Sequence, residues 1–143
     1  MTAQTGPAGQ GMLLVVDDQA ILCTVLQHML EAWGFTALVA RSGRLGVALF
    51  HQHAREVRAV LLDLWLPGES AAGVFDAVRR LRPDLPVILM SGIPEAIARE
   101  EFARAGVTAF LQKPFDIPVL LKTLHEALEA GPPARGPEAS RGN

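Results

Sequence analysis

Short, mostly apolar runs alternate with longer segments of helical pattern along most of this chain. The runs cover residues 12–16, 35–40, 59–62, 86–90 and 107–111. Apolar runs of this length are typical of strands that are buried on both faces of a sheet. We therefore predict five strands.

The intervening segments carry apolar residues at helical spacing. The clearest set follows the first run and consists of Ile21, Leu22, Val25, Leu26, Met29, Leu30 and Trp33. Gly34 then supplies a helix stop. Ser42 and Asp116 are placed to cap the second and fifth helices. The third helix ends before Pro83, and the fourth covers about residues 95–105.

Strands and helices are predicted in strict alternation, which indicates five β-α units. Strands joined by helical crossovers form a parallel sheet with helices on both faces, so the predicted fold class is α/β, doubly wound. The predicted domain covers residues 12–130. Residues 1–11 and 131–143 are rich in Gly, Pro and Ala and lack an apolar period, so we expect flexible tails there.

Composition excludes several function classes. The 143 residues fit one domain, and a formal net charge of −2 provides no basic face for nucleic acid. The apolar runs are far shorter than the roughly 20 residues of a membrane span, and the start of the chain lacks the apolar core of a secretory signal. Cys23 is the only cysteine in the sequence, so an internal disulfide is impossible. These features predict a soluble cytoplasmic protein that binds neither nucleic acid nor membrane.

Polar residues follow four of the five predicted strands. Asp17 and Asp18 follow the first run, Asp63 the third and Ser91 the fourth, and Lys113 lies just beyond the fifth. The carboxyl ends of parallel strands share one edge of the sheet, where ligands of open α/β sheets bind. We therefore expect these five side chains to lie on one rim.

Three carboxylates on one rim indicate a bound cation. Two carboxylates about 4 Å apart repel by roughly 4 kcal/mol at an effective dielectric constant of about 20. The single charge of Lys113 leaves an excess of negative charge. Oxygen ligands without a nearby Cys or His are typical of a hard ion, and Mg²⁺ combines few carboxylates with water and phosphate oxygens. The residue types therefore predict a site for Mg²⁺ and a phosphoryl group.

These residues carry a resemblance to a known family. Asp17 and Asp18 after MLLVV, Asp63 in LLDLWLPG, Ser91 in VILMSG and Lys113 in FLQKPF resemble the receiver domain of two-component response regulators. The resemblance covers about residues 12–130. The residues around these motifs are most similar to those in the receivers of hybrid sensor histidine kinases. The resemblance implies a flavodoxin-like (βα)5 fold whose parallel sheet has the strand order 2-1-3-4-5.

The resemblance assigns a metal site and an acceptor. It implies that Asp63 is the phosphoacceptor and also a metal ligand, that Asp18 ligates Mg²⁺ directly, and that Asp17 acts through a coordinated water. The remaining protein ligand would be the backbone carbonyl of Trp65.

The resemblance also implies a donor and a switch. A phosphohistidine of a sensor histidine kinase or of a histidine phosphotransfer protein would supply the phosphoryl group to Asp63. Lys113 would pair with this group and Ser91 would bond it, which lets the aromatic Phe110 turn inward. An unknown downstream protein would bind the face formed by the fourth helix, fifth strand and fifth helix. The chain would then be a signalling phosphoacceptor and not an enzyme, since it catalyses only its own phosphorylation and dephosphorylation.

Three positions depart from the common receiver pattern. Glu69 stands where receivers commonly have methionine, and Ala71 where they have glycine. We expect a stiffer and more acidic loop after Asp63, with altered rates of phosphotransfer and dephosphorylation. Trp65 is bulky for a position beside this aspartate, and it either shields the phosphoryl group from water or packs over the loop.

Three other functions fit parts of the pattern. An aspartate-nucleophile phosphatase of the haloacid dehalogenase type also uses Asp, Ser, Lys and Mg²⁺, but its motif separates two aspartates by one residue, whereas Asp17 and Asp18 are adjacent. A receiver-shaped interaction module that is never phosphorylated needs none of the rim residues. A flavodoxin-type cofactor binder needs a phosphate loop rich in Gly, Ser and Thr after the first strand. The receiver is the preferred interpretation.

Overall fold

The computed structural model describes residues 9–102 and 106–130, which form alternating strands and helices. In chain order the elements are β1 (Gly11–Val16), α1 (Ala20–Ala32), β2 (Phe35–Ala40), α2 (Gly43–His53), β3 (Val57–Asp63), α3 (Ala71–Leu81), β4 (Val87–Ser91), α4 (Glu95–Glu101), β5 (Ala109–Gln112) and α5 (Ile117–Glu129).

The strands form a parallel sheet in the order β2-β1-β3-β4-β5, as predicted. β1 pairs with two neighbours, so that Leu14 lies opposite Leu38 of β2 and Val60 of β3. The strand order reverses between β1 and β3. A crevice at the carboxyl ends of the strands is expected beside this point.

Side chains of the strands alternate between two hydrophobic layers. Leu13 and Val15 belong to the layer covered by α1 and α5, whereas Leu14 and Val16 belong to the layer covered by α2 and α3. This period of two results from the pleat of the strand. All four side chains have no exposed surface. Burial on both faces explains why this strand is apolar throughout.

Side-chain caps fix the starts of three helices. The Ser42 and Ser70 hydroxyls and the Asp116 carboxylate each accept a hydrogen bond from the backbone N–H three residues further on, at 3.1, 3.2 and 3.0 Å. Each cap satisfies a backbone donor that the helix itself leaves without a partner. Within the described ranges, no helix is both long and apolar enough to span a bilayer.

The fourth helix is shorter than predicted. It ends at Glu101 instead of near residue 105, and residues 103–105 lie outside the described residues. Phe102 leaves helical geometry at φ −100° and ψ 81°. Its buried ring packs edge-on against Phe75 with the two centroids 5.4 Å apart. This packing draws Phe102 into the core, and the helix ends at Glu101.

The predicted apolar stripe of α1 is only partly buried. Leu26 and Leu30 have no exposed surface, but Ile21 is 81% exposed and Val25 is 44% exposed. The sheet covers only one side of this helix. Its apolar pattern is therefore wider than the face that packs against the strands.

The boundaries of the described structure differ slightly from the prediction. β1 begins at Gly11, one position before the predicted first strand at residue 12, and the Gln10 N–H donates to the Gly34 carbonyl at 3.0 Å. Residues 1–8 and 131–143, which make up the rest of the expected tails, lie outside the described residues. β5 covers Ala109–Gln112 instead of residues 107–111, and just before it the Thr108 hydroxyl accepts a hydrogen bond from the Val87 N–H at 3.0 Å.

Candidate functional site

Four strands deliver the predicted site residues to one end of the sheet. Asp17 comes directly after β1, and Lys113 comes directly after β5. Asp63 and Ser91 are the last residues of β3 and β4. The Lys113 N–H donates to the Ser91 carbonyl at 2.6 Å, so the backbone itself joins two of these strand ends.

Three carboxylates meet at this end of the sheet. One oxygen each of Asp17, Asp18 and Asp63 lies within 4.8 Å of the others. Asp17 has no exposed surface and Asp63 is 4% exposed, whereas Asp18 is half-buried. The Cys23 thiol donates to the Asp17 carbonyl at 3.1 Å, so this cysteine packs beneath the cluster.

Lys113 lies among the acidic groups. Its Nζ donates to Asp17 Oδ2 at 2.7 Å, to Asp63 Oδ2 at 3.2 Å and to Gln19 Oε1 at 3.3 Å. Burial alone would lower the pKa of Lys113, but the hydrogen bond to Asp17 and the charge of Asp63 outweigh it and raise that pKa above its ordinary value. The amine therefore stays charged at neutral pH.

Asp63 is held in an unfavourable environment for its charge. Burial raises the pKa of Asp63, and the Trp65 N–H, which donates to Asp63 Oδ1 at 3.1 Å, opposes this change. The charge of Asp17 raises the pKa further, while Lys113 lowers it. The net direction is upward, because the surroundings supply too little positive charge for the buried carboxylate.

The donor set fits a divalent cation. Asp17, Asp18 and Asp63 offer only carboxylate oxygens, which are the ligands of hard ions such as Mg²⁺. Lys113 supplies one positive charge against three carboxylates, so an excess of negative charge remains for an ion to offset. A pocket beside the cluster, lined in part by Gln19 and the half-buried Asp18, offers room for a further oxygen-rich group.

Comparison with known proteins assigns this arrangement to a family. Residues 13–125 match the response regulator receiver domain. The chain belongs to this family. The prediction drawn from the strand-end motifs is confirmed, and the receiver's similarity to those of hybrid kinases in particular stays a prediction.

The curated relatives are bacterial regulators. Transcriptional regulatory protein ZraR of Salmonella typhimurium is 30% identical over 116 residues, which are 81% of this chain and 26% of the relative. Transcriptional regulatory protein GlrR of Escherichia coli is 31% identical over 125 residues, 85% of this chain and 27% of the relative. The receiver thus spans about a quarter of the length of these relatives.

Solved structures show the same fold. Chemotaxis protein CheY4 of Vibrio cholerae has a TM-score of 0.75 and 26% identity, over 82% of this chain and 98% of that chain. NtrX of Brucella abortus has a TM-score of 0.75 and 28% identity, over 84% of this chain and 27% of that chain. A receiver domain protein from Clostridium thermocellum, at 22% identity, has a TM-score of 0.76 over 84% of this chain and 95% of that chain, and it shows the fold alone. The predicted (βα)5 architecture is confirmed.

Ser91 lies beside the carboxylates of the receiver but does not bond to them. Its hydroxyl accepts from the Ile93 N–H at 3.0 Å and donates to the Ile93 carbonyl at 3.3 Å. The side chain lines the same pocket as Asp63 and Lys113. A group bound in this pocket would therefore compete with Ile93 for the hydroxyl.

The two aromatic candidates lie in different places. Trp65 is 73% exposed and lines the pocket at the site. Phe110 is half-buried on β5 and does not line this pocket. The Arg99 guanidinium of α4 lies over its ring, 4.3 Å from the centroid. Phe110 is thus in contact with α4 rather than with the acidic cluster.

The contacts of two residues in the site region, Gln19 and Glu69, were not predicted. Gln19 contacts Lys113, and its position directly after Asp18 was a signal that could have suggested it. Glu69 was expected to make the loop after Asp63 more acidic, but its carboxylate is directed away to α2, where it accepts from the backbone N–H groups of Gly43 and Arg44. No local pattern in the sequence indicates this contact, because it depends on the packing of two distant segments.

Proposed function

We propose that this receiver accepts a phosphoryl group on Asp63 in the presence of Mg²⁺. The observation that carries the proposal is the position of the Asp63 carboxylate: it lies at the end of β3, 3.2 Å from Lys113 Nζ and within 4.8 Å of two further carboxylates. An interaction module that is never phosphorylated would have no use for this repulsive and costly cluster. The adjacent Asp17 and Asp18 also argue against the phosphatase alternative.

In the proposal, the carboxylates of Asp18 and Asp63 and the backbone carbonyl of Trp65 would hold the metal. The Asp17 carboxylate would support it through a coordinated water. When bound, Mg²⁺ offsets negative charge on the phosphoryl oxygens. Their charge develops in a loose transition state, so catalysis rests on position and electrostatics.

The chain's own groups account for the transfer. An Asp63 oxygen attacks phosphorus in line; the O–P bond forms as the P–N bond of the phosphohistidine breaks, and the electron pair returns to the donor's ring. Lys113, which stays charged, pairs with a phosphoryl oxygen. Ser91 exchanges its contacts with Ile93 for one to the phosphoryl group.

The donors and readers of the signal are also part of the proposal. A sensor histidine kinase or a histidine phosphotransfer protein supplies the phosphoryl group, and a downstream protein reads the result on the face of α4, β5 and α5. The chain acts as a signalling phosphoacceptor and catalyses only its own phosphorylation and dephosphorylation. The buried lone Cys23 and the regulatory role named for the relatives support a cytoplasmic location.

Phosphotransfer from a panel of autophosphorylated histidine kinases tests this function. We expect at least one kinase to lose its label to the parent receiver within minutes and to retain it with Asp63→Asn. Phosphoaspartate is labile to base, so the transferred label should disappear at alkaline pH. Transfer to Asp63→Asn at the parent's rate would contradict the proposal.

A further inference from the structure

The loop between β3 and α3 is tied to a helix elsewhere in the chain. The Glu69 carboxylate accepts from the Gly43 N–H at 3.1 Å and from the Arg44 N–H at 2.8 Å, the first two N–H groups of α2. These groups have no partner within the helix. The next N–H, that of Leu45, is satisfied by the Ser42 hydroxyl at 3.1 Å. The start of α2 is therefore capped from two separate segments.

Gly43 makes this close approach possible. A Cβ at this position would lie 2.8 Å from Glu69 Oε1 and 2.8 Å from Val74 Cγ2. Any larger residue would therefore displace the carboxylate or push α2 away from α3. The pair of Gly43 and Glu69 is a fitted contact and not an incidental surface encounter.

Within the loop, the Glu69 N–H donates to the Leu66 carbonyl at 2.9 Å, which joins Glu69 to the residue next to Trp65. Hydrogen bonds from Leu64 N–H to the Met90 carbonyl and from Trp65 N–H to Asp63 Oδ1 fix its beginning. Between these bonds and the cap of α3, Leu66 is buried, whereas Trp65, Pro67 and Gly68 are exposed. Glu69 is thus the side chain that joins this loop to α2.

We infer that Glu69 is a positioning residue for the metal site: by tying the loop to the start of α2, it holds the backbone of Trp65 where its carbonyl can ligate Mg²⁺. The inference rests on the proposed function, which makes this carbonyl a ligand. Mg²⁺ requires near-ideal octahedral geometry, so a loosely held ligand weakens its binding. The side-chain ligands lie at the carboxyl ends of β1 and β3, where the sheet fixes their positions independently of Glu69.

Isothermal titration with Mg²⁺ separates this role from simple support of α2. Loss of a group hydrogen-bonded to a metal ligand costs about 10–100-fold in affinity. Glu69 acts one step further from the ion, so we expect Glu69→Ala to raise the Kd for Mg²⁺ by no more than about tenfold. Gly43→Ala, which displaces the same carboxylate, should raise the Kd likewise. Glu69→Gln keeps one acceptor oxygen for the two backbone N–H donors, so it should raise the Kd less than Glu69→Ala does. The matched control is Ser42→Ala, which removes the other cap of the same helix end.

The Ser42→Ala control and the labelling rate of Glu69→Ala distinguish a role in the metal site from support of α2 alone. Ser42→Ala should lower the melting temperature about as much as Glu69→Ala but leave the Kd at the parent's value. Acetyl phosphate labelling of Glu69→Ala should reach the parent's rate at saturating Mg²⁺ and need more Mg²⁺ for half of that rate. An unchanged Kd in Glu69→Ala, or an equal rise in Ser42→Ala, would overturn the inference.

The proposed function can fail separately. If the parent binds Mg²⁺ but takes no phosphoryl group from any donor, the phosphoacceptor role is wrong, and the comparison of Kd values still decides the role of Glu69. If the parent binds no Mg²⁺, both the metal site and the positioning role are overturned.

Discussion

At the level of single residues, Asp63 and Lys113 show how burial and charge prepare the site. Burial disfavours the ionised form of Asp63, whereas the neighbouring carboxylates favour the charged form of Lys113. The pKa of both groups is raised, for different reasons. A bound cation stabilises a buried carboxylate most when few other positive charges lie near it. The environment that disfavours the ionised form of Asp63 therefore favours metal binding.

The raised pKa of Asp63 predicts a pH dependence of stability. The folded state binds the Asp63 proton more tightly than the unfolded state, whose pKa is near 3.8. The stabilising contribution is therefore complete below pH 3.8 and is lost as the pH rises through the raised pKa. In urea unfolding with EDTA, the free energy of unfolding of the parent should fall relative to Asp63→Asn over this interval. A constant difference between the two proteins would contradict the assignment.

At the level of elements, α2 packs closely on the sheet. A Cβ on Gly46 would lie 2.8 Å from Val16 Cγ2 in the buried layer. Val16 has no exposed surface and is branched at Cβ, so it has little room to move. By contrast, a Cβ on the exposed Gly73 of α3 would come no closer than 3.8 Å to the Ser70 side chain. The two helical glycines therefore have different physical roles.

Alanine at these two positions should change stability in opposite directions. Gly46→Ala overpacks the core, which costs about 1–3 kcal/mol and exceeds the gain in helix propensity. Gly73→Ala should raise the free energy of unfolding by about 0.5–1 kcal/mol, because alanine loses less conformational entropy in a helix. Denaturant unfolding of both variants checks the pair. Equal effects would show that α2 is not held as close to Val16 as described.

The contact between α4 and β5 predicts a route for the signal. Ser91 ends β4, and Phe110 lies on the neighbouring β5 beneath Arg99 of α4. A phosphoryl group shifts these strands from one conformation to another only if it binds the second conformation more tightly. The coupling free energy between two linked sites is typically about 1–3 kcal/mol. We therefore expect Ser91→Ala to weaken the response of α4 and β5 without abolishing phosphorylation.

Amide NMR with beryllofluoride, a phosphoryl mimic, measures this response. The parent should show large shifts around Phe110, Lys113 and α4, and Ser91→Ala should show smaller ones. Ser91→Thr is the matched variant, because it keeps the hydroxyl and should respond like the parent. If Ser91→Ala responds as fully as the parent, the signal takes another route.

At the level of the whole molecule, much of the site could be predicted because topology brings distant residues together. Parallel strands end at the same edge, so polar residues after separate apolar runs had to meet, as Asp17, Asp63 and Lys113 do. The early end of α4 could not be predicted, because the burial of Phe102 depends on a ring from another helix. The contact of Glu69 with α2 likewise depends on tertiary packing, which no local pattern encodes.

Metal binding should stabilise the whole fold. A ligand that binds only the folded state adds about 2.7 kcal/mol at a hundredfold excess over its Kd. Mg²⁺ should therefore raise the melting temperature of the parent, and Asp18→Ala should lose most of this increase. Thermal unfolding with Mg²⁺ and with EDTA provides the measurement. An undiminished increase in Asp18→Ala would place the ion at another site.

The central claim is that Asp63 is the phosphoacceptor, and intact mass spectrometry after incubation with acetyl phosphate and Mg²⁺ tests it most directly. The parent should gain the mass of a single phosphoryl group, EDTA should suppress the gain, and Asp63→Asn should gain none. Asp76→Asn, which alters an aspartate on α3 away from the strand ends, is the matched control and should be labelled like the parent. Labelling of Asp63→Asn to the parent's extent would contradict the account.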